Sequence, residues 1–420
     1  MLWAYNTLAL PLRALPPLLE VAAGKSPEAV REWEERRARR LPDMPPGGIW
    51  IHGASVGEAR IVRLLAAALR AERPGVPLAA SAVTRSGRGQ LPSPPMVEAA
   101  FYAPLDFAGL PGRVLDGIRP RVLVLVETEI WPNLLHEAFG RGVPVAVING
   151  RLAPERMARY RRFRRLFSPL LAGLAKVAAL SPDEAERFVE LGVRREALTV
   201  TGNVKYDLPV PAASEASLRL RFGIAEGRPV VLAGSTGPGE ESMVLDAFAE
   251  ARAEHPSLYL VLAPRHPERA GEVASEMVDR GLSHHRLTAG ADVEAGRADV
   301  LLVDRVGELA SLYAMATAAF VGGTLVPIGG HNVLEPAAAG APVLVGPHTS
   351  HVTETVEALL GAGGAIRVLS PAALAEAWKL LVRDGEERRR IARAAGGVVR
   401  TNRGALERTV AVVLSLLDRS

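Results

Sequence analysis

The sequence predicts an α/β protein made of two doubly wound, Rossmann-like domains that face each other across a cleft. Three observations lead there. From residue 48 onward, short apolar runs alternate with amphipathic helical stretches, the pattern of a parallel sheet covered on both faces. The alternation breaks at the proline-rich stretch "YDLPVPAASE" (206–215) and then begins again. A chain of 420 residues is also too long for one ordinary core.

The division that follows is an apolar N-terminal segment (1–24), a first domain (25–207) and a second domain (208–420). In the first domain "GIWIHG" reads as a strand and is followed by a helix from about Val56 to Ala71. "VPLAASAV", "VLVLVE" and "VPVAVIN" are further buried strands, each with a helical pattern behind it. In the second domain "PVVLAGS", "LYLVLAP", "VLLVD", "AAFVGG" and "APVLVG" play the same part. Open sheets of this kind bind ligands at the carboxyl ends of their strands, so the strand-to-helix loops are where chemistry is sought.

Composition narrows the classes. With 48% hydrophobic and 23% charged residues the chain is folded, not disordered. It has no cysteine, which excludes disulfides, thiolate metal sites and cysteine nucleophiles and suits a reducing compartment. Only four of the 50 basic residues are lysine: Lys25, Lys176, Lys205 and Lys379. The first 24 residues are apolar but lack the basic start of a secretory signal, and Arg13, Glu20 and three prolines make them a poor membrane span. Two readings stay open for them, a segment lying on a membrane surface and a terminal helix packed on its own domain.

Six loops carry candidate chemistry. "HGASVGEA" (52–59) places His52 at a strand end, and Ser55 and Glu58 have the spacing of a capping box. "VETEIWPN" (126–133) sets Glu127, Glu129 and a tryptophan directly after the strand "VLVLV". "GNVKYD" (202–207) contributes Asn203 and Lys205. "AGSTGPGEE" (233–241) brings Ser235 and Thr236 to a strand–glycine–helix turn able to present amides to an anion, without the Gly-Lys-Ser/Thr of a P-loop. "APRHPER" (263–269) puts Arg265 and His266 after another strand, where an arginine can pair with phosphate. In "FVGGTLVPIGGHNVLEP" (320–336), Gly323, Thr324 and Gly330 bring the backbone close to a ligand. Asn332 and Glu335 there share the spacing of a helix cap. A carboxylate at that place accepts hydrogen bonds from ribose hydroxyls, and the combination predicts a nucleotide.

Metal and cofactor signals are weak. His348-x-x-His351 and His284–His285 lack partners, and no Asp-x-Asp occurs, so neither a metal nor a cofactor is expected. The arginine-rich stretch 153–174 sets Met157, Tyr160, Phe163, Phe167, Leu170 and Leu174 at helical spacing among six arginines. It reads as a basic helix for an anionic membrane or substrate, or as a solvated helix with a core-facing stripe. No stacking module or helix-turn-helix supports nucleic acid.

Taken in order, "HGASVGE", "ETEIWPNL", "NGRL", "GNVKYD", "GST", "PRHPER" and "GGT…GGHNVLEP" resemble the 3-deoxy-D-manno-octulosonic acid (Kdo) transferases of lipopolysaccharide biosynthesis, over about residues 30–350. The resemblance implies a GT-B fold, CMP-Kdo as donor, a lipid A precursor as acceptor and inverting, metal-independent transfer. It also implies a place at the cytoplasmic face of the inner membrane, peripheral or anchored by the N-terminus. It further implies that the catalytic base is the glutamate of a Gly-Glu-Arg motif, here Glu35-Arg36 with Glu34 where glycine is usual. Two more departures are Gly237 in place of a histidine and "VTRSGRG" (83–89), with Arg85 and Arg88, in place of a threonine-rich loop. On this reading Lys205, Ser235, Thr236, Arg265, His266, Gly323, Thr324, Gly330, Asn332 and Glu335 hold the donor. His52, Ser55, Glu58, Glu127, Glu129 and Asn203 line the acceptor side. The rival readings are a GT-B transferase or epimerase using a UDP-sugar, and a non-enzymatic basic protein that binds membranes or nucleic acid.

Overall fold

A computed structural model describes residues 2–8, 26–152, 154–207, 213–289 and 292–418. The chain forms two compact units, Met1–Asp207 with Arg403–Ser420, and Leu208–Asn402. The sheet of the first unit contains β1 (Ile49–His52), β2 (Leu78–Ala82), β3 (Ala99–Tyr102), β4 (Val122–Val126), β5 (Val145–Gly150), β6 (Lys176–Ala179) and β7 (Leu198–Val200). Their spatial order is β3-β2-β1-β4-β5-β6-β7, with every pairing parallel. Alternate residues explain why the strands read as unbroken apolar runs. Ile49 and Ile51 of β1 join one core with Val122, Val124 and Val126, while Trp50, Leu123 and Leu125 join the core on the other face.

The second unit repeats the plan with β8 (Val230–Thr236), β9 (Tyr259–Pro264), β10 (His284–Arg286), β11 (Val300–Leu302), β12 (Ala318–Val321), β13 (Val343–Val345) and β14 (Ala365–Arg367). The order is β10-β11-β9-β8-β12-β13-β14, again all parallel. In each sheet the strand order reverses beside the first strand, between β1 and β4 and between β8 and β12. Loops leaving those neighbours part to opposite faces and open a crevice at the carboxyl ends. Five of the six loops singled out from sequence leave these four strands and β9, and the sixth, 202–207, follows the edge strand β7.

The last helix departs from expectation. The second domain was expected to run to residue 420, but the helix Ala405–Leu417 belongs to the first unit. Its residues Val410, Val413 and Leu417 share a core with Val62 and Leu65 of the helix Val56–Glu72. Its start is fastened by Asp207, whose carboxylate accepts from the amides of Gly404 (2.7 Å) and Leu406 (2.6 Å). Much of the linker stretch 206–215 lies outside the described residues.

Of the N-terminal segment only 2–8 are described, as a helix tied to the first unit. Tyr5 donates to Asp106 (3.1 Å), and Asn6 exchanges side-chain hydrogen bonds with Asn133 (3.0 and 2.9 Å). No helix among the described residues is long and apolar enough to cross a membrane. The arginine-rich stretch forms two helices, Pro154–Arg162 and Arg164–Ala172, where one was expected. Met157, Leu170 and Leu174 are buried, whereas Phe163 at the break is 47% exposed.

Candidate active site

The crevice between β1 and β4 is acidic. Glu58, in the first turn of its helix, is 9% exposed and accepts from the Ala54 amide and from the Ser55 hydroxyl (3.1 Å). The expected capping box is therefore not formed. Ser55 is the N-cap but accepts from none of the helix's backbone amides; its hydroxyl is turned onto the Glu58 side chain. Burial pushes the Glu58 carboxyl up to about 7, helped by the nearby charges of Glu129 and Glu127 and opposed by the two hydrogen bonds.

Around this group the polar side chains lock one another. Trp50 Nε1 donates to Ser81 Oγ (2.7 Å), and Ser81 Oγ lies 2.9 Å from His52 Nδ1. The other ring nitrogen of His52, Nε2, lies 3.9 Å from Glu129 Oε2. Complete burial pushes His52 down to about 4, so the ring is neutral at pH 7. Trp131 Nε1 donates to the same Glu129 oxygen (2.6 Å). Glu127 pairs with Lys205 Nζ (2.8 Å) and holds a left-handed backbone at φ 60°. Asn203 Oδ1 accepts from the Lys205 amide (3.0 Å). Lys205, assigned from sequence to the donor, is thus placed beside Glu127 and Asn203 of the first unit. Asn149, also left-handed (φ 51°), accepts from the Val204 amide (3.0 Å) and was not foreseen.

Glu35 lies at the end of β3, 5% exposed. One oxygen accepts from the Tyr102 amide (2.8 Å) and the other from Arg31 Nε (2.9 Å). Its neighbour Glu34 is half-buried, and its carbonyl accepts from the Arg39 and Arg40 amides. Arg85 pairs with Glu32 (2.5 Å), and Arg88 donates to the Ala100 carbonyl (2.6 Å).

In the second unit the structure redistributes the donor residues. Thr236 is fully buried and donates to Glu241 (3.2 Å). Thr324 is equally buried; its hydroxyl bonds the Val321 carbonyl (2.6 Å) and accepts from the Gly346 amide (2.8 Å). Both threonines fasten strand ends, against the expectation that they touch a ligand. The amides of Gly323 and Thr324 are likewise taken, by the carboxylate of Glu240, and that of Gly330 by the Gly323 carbonyl (2.8 Å). Positive φ at Gly323 (71°), Gly329 (107°) and Gly330 (85°) is what permits this tight return of the loop.

What remains turned outward is a smaller set. Ser235 holds φ 58° at the end of β8. Arg265 is exposed, and no carboxylate pairs with it among the described residues, whereas His266 is paired with Glu268 (3.1 Å). Asn332 accepts from the Leu334 amide (3.1 Å) and donates to Glu335 Oε1 (2.9 Å). The helix is only Leu334–Ala338, with Val333 at the cap position where Asn332 was expected. Asn332 and Glu335 do meet, side chain to side chain, and both stay half-exposed. Among the described residues no group of three His, Asp or Glu is placed to hold a metal.

A family model described as 3-deoxy-D-manno-octulosonic-acid transferase matches residues 31–208. The chain is 34% identical over 388 residues to the Kdo transferase of Haemophilus influenzae, covering 90% of this chain and 88% of that one. It belongs to the Kdo transferase family. The Bordetella pertussis member is also 34% identical, over 96% of both chains. The fold is GT-B, as in the UDP-GlcNAc 2-epimerase of Neisseria meningitidis, which matches with a TM-score of 0.58 at 16% identity over 89% of this chain and 100% of that one. A Kdo transferase is a glycosyltransferase, and the strand-end carboxylates and arginine are the groups such an enzyme has at its disposal here.

The raised Glu58 pKa has a consequence for stability. Folding lifts it from 4.5 to about 7, so its contribution is complete below pH 4.5 and is lost as pH rises through 7. Glu58→Gln should therefore melt above the unsubstituted protein at pH 8, with the gap closing by pH 5. Thermal unfolding at the two pH values checks this; an equal or lower melting temperature at pH 8 contradicts it.

Proposed function

We propose that this enzyme moves Kdo from CMP-Kdo to a hydroxyl of a lipid A precursor, with inversion and without a metal. The observation that carries the reading is the likeness to Kdo transferases along nine-tenths of the chain. In the transfer the acceptor oxygen attacks the anomeric carbon of Kdo. The bond from that carbon to the CMP phosphate oxygen breaks with its electron pair, and a base takes the acceptor proton. Attack from the face opposite the leaving phosphate inverts the centre.

Glu58 fits the base better than Glu35. A carboxyl titrating near 7 is matched to general-base work at neutral pH, and Glu58 sits at the β1–β4 switch point with two further carboxylates. Glu35 is committed through both oxygens to Arg31 and to the Tyr102 amide, which suits a residue that fastens its helix to β3. For the donor, Arg265 meets the phosphate and stabilises the charge that develops on it, the role a metal fills elsewhere. Ser235 adds its hydroxyl, and the Asn332–Glu335 pair takes the ribose.

We place the enzyme at the cytoplasmic face of the inner membrane. Exposed Arg159, Arg162, Arg164 and Arg165 around Phe163 give a surface suited to anionic headgroups.

Incubation with CMP-Kdo and a tetra-acylated lipid A precursor, followed by mass measurement, tests the reaction; tight UDP binding with no CMP binding would sink it. Glu58→Gln should lower transfer at least about 10²-fold while CMP binding is kept, and Glu35→Gln should act on melting more than on turnover. The opposite pattern would return the base to Glu35. Glu335→Ala should weaken CMP binding at least about tenfold in calorimetry, with the melting temperature unchanged. Replacing Arg162, Arg164 and Arg165 by glutamine should cut binding to anionic vesicles on the order of 10²-fold, since each basic residue near such a surface contributes about 1 kcal/mol. Unchanged co-sedimentation would move the membrane face elsewhere.

A further inference from the structure

The carboxylate of Glu240 stands where a glycine loop would ordinarily seat an anion. Glu240 begins the helix Glu240–Glu254 and is 0% exposed. Four backbone amides converge on it: Gly237 (3.0 Å) and Gly323 (2.6 Å) donate to Oε2, and Thr324 (3.0 Å) and Leu325 (2.8 Å) to Oε1. These amides come from the loops after β8 and β12, the two neighbours at the switch point of the second sheet. Three of them are consecutive, and such a run of amides is a concavity that phosphate oxygens fill in many nucleotide sites. Here the protein fills it with its own charge.

The concavity has little freedom to open. A Cβ on Gly322 would lie 2.5 Å from the Ser235 carbonyl oxygen, and one on Gly346 would lie 2.2 Å from that of Thr324. The loops therefore pack backbone against backbone. The Thr324 hydroxyl adds its ties to Val321 and Gly346 from within. A second anion cannot share these amides, since all four are already donated, and it would face the Glu240 carboxylate at short range in a site closed to water.

We infer that Glu240 is a specificity-determining residue that restricts the donor to nucleoside monophosphate sugars. A donor with one phosphate needs only the outward groups, Ser235 and Arg265, and leaves the filled concavity untouched. A donor with two phosphates brings a further charged group to the strand ends of β8 and β12, where the amides that would receive it are occupied. The inference rests on the reading of the second unit as the CMP-Kdo seat and adds the reason that a diphosphate is refused there.

Calorimetry of the whole chain with CMP and with CDP tests it. In the unsubstituted protein CMP should bind at least about tenfold more tightly than CDP. Equal affinities overturn the inference and leave the donor reading standing; binding of neither nucleotide removes the donor reading itself. In Glu240→Gln the carboxylate charge is gone, and the preference for CMP should shrink to about threefold or less. A variant that unfolds cooperatively like the parent yet keeps the full preference also overturns it. The comparison in the unsubstituted protein decides independently if the variant does not fold.

Discussion

Two all-parallel sheets, apolar on both faces, leave this chain no place for polar chemistry except the strand ends. The inner strands are sealed above and below by helices, as Trp50 and Ile51 show by facing two different cores. Every carboxylate, amide or arginine that meets a ligand must therefore stand where a strand stops and a helix has not yet begun. The backbone records the crowding that results. Among the described residues, three of the five non-glycine residues with positive φ, Glu127, Asn149 and Ser235, occur at or directly after the carboxyl ends of β4, β5 and β8. Each such conformation costs on the order of 1 kcal/mol, and the surrounding hydrogen bonds hold it in place.

The same constraint explains what could be read from the residues and what could not. Strands buried on both faces announce themselves as runs such as "VLVLV" and "VVLAGS", so β1, β2, β4, β5, β8, β9, β11, β12 and β13 were legible. β3, β7, β10 and β14 are sheet-edge strands of three or four residues, and β10 is "HHR", which carries no apolar signal at all. The internal β6 escaped for a related reason, being only "KVAA". The return of the last helix to the first unit was hidden because an apolar stripe does not name its partner. Asp207, which fastens that helix, looks in sequence like one more linker residue.

At the sites, residue type was easier to read than residue task. Thr324 and Thr236 sit in glycine-rich strand ends, yet their hydroxyls hold the strands together. Ser55 and Glu58 have capping-box spacing, but the glutamate accepts hydrogen bonds from the amide before the serine and from the serine hydroxyl. Glu240 and Glu241 were passed over as part of a helix start, where acidic residues are commonplace. Their burial, with Glu241 paired to Arg269 at 2.9 Å, marks them as internal struts, and burial is a property of the fold that the local sequence does not state. Glu335 and Asn332 were legible because their three-residue spacing survives any shift of the helix cap by one position.

Glu35 and Glu58 show why motif and mechanism can part. Each is a buried glutamate close to a strand end, and each accepts one backbone amide, Tyr102 for the first and Ala54 for the second. Their neighbours differ in sign. Arg31 closes on the free oxygen of Glu35, so that carboxylate spends its capacity in binding its own surroundings. Glu58 has Glu129 and Glu127 beside it, a serine as its other donor, and a neutral histidine behind the pair. Among the described residues nothing cationic touches it directly, since Lys205 is held on Glu127. A carboxylate deprived of a counter-charge gains most by taking a proton, and a substrate hydroxyl under attack has one to give. On the mechanism proposed above, the acidity of the β1–β4 crevice, which would only destabilise an inert fold, raises the Glu58 carboxyl toward neutrality as a general base requires.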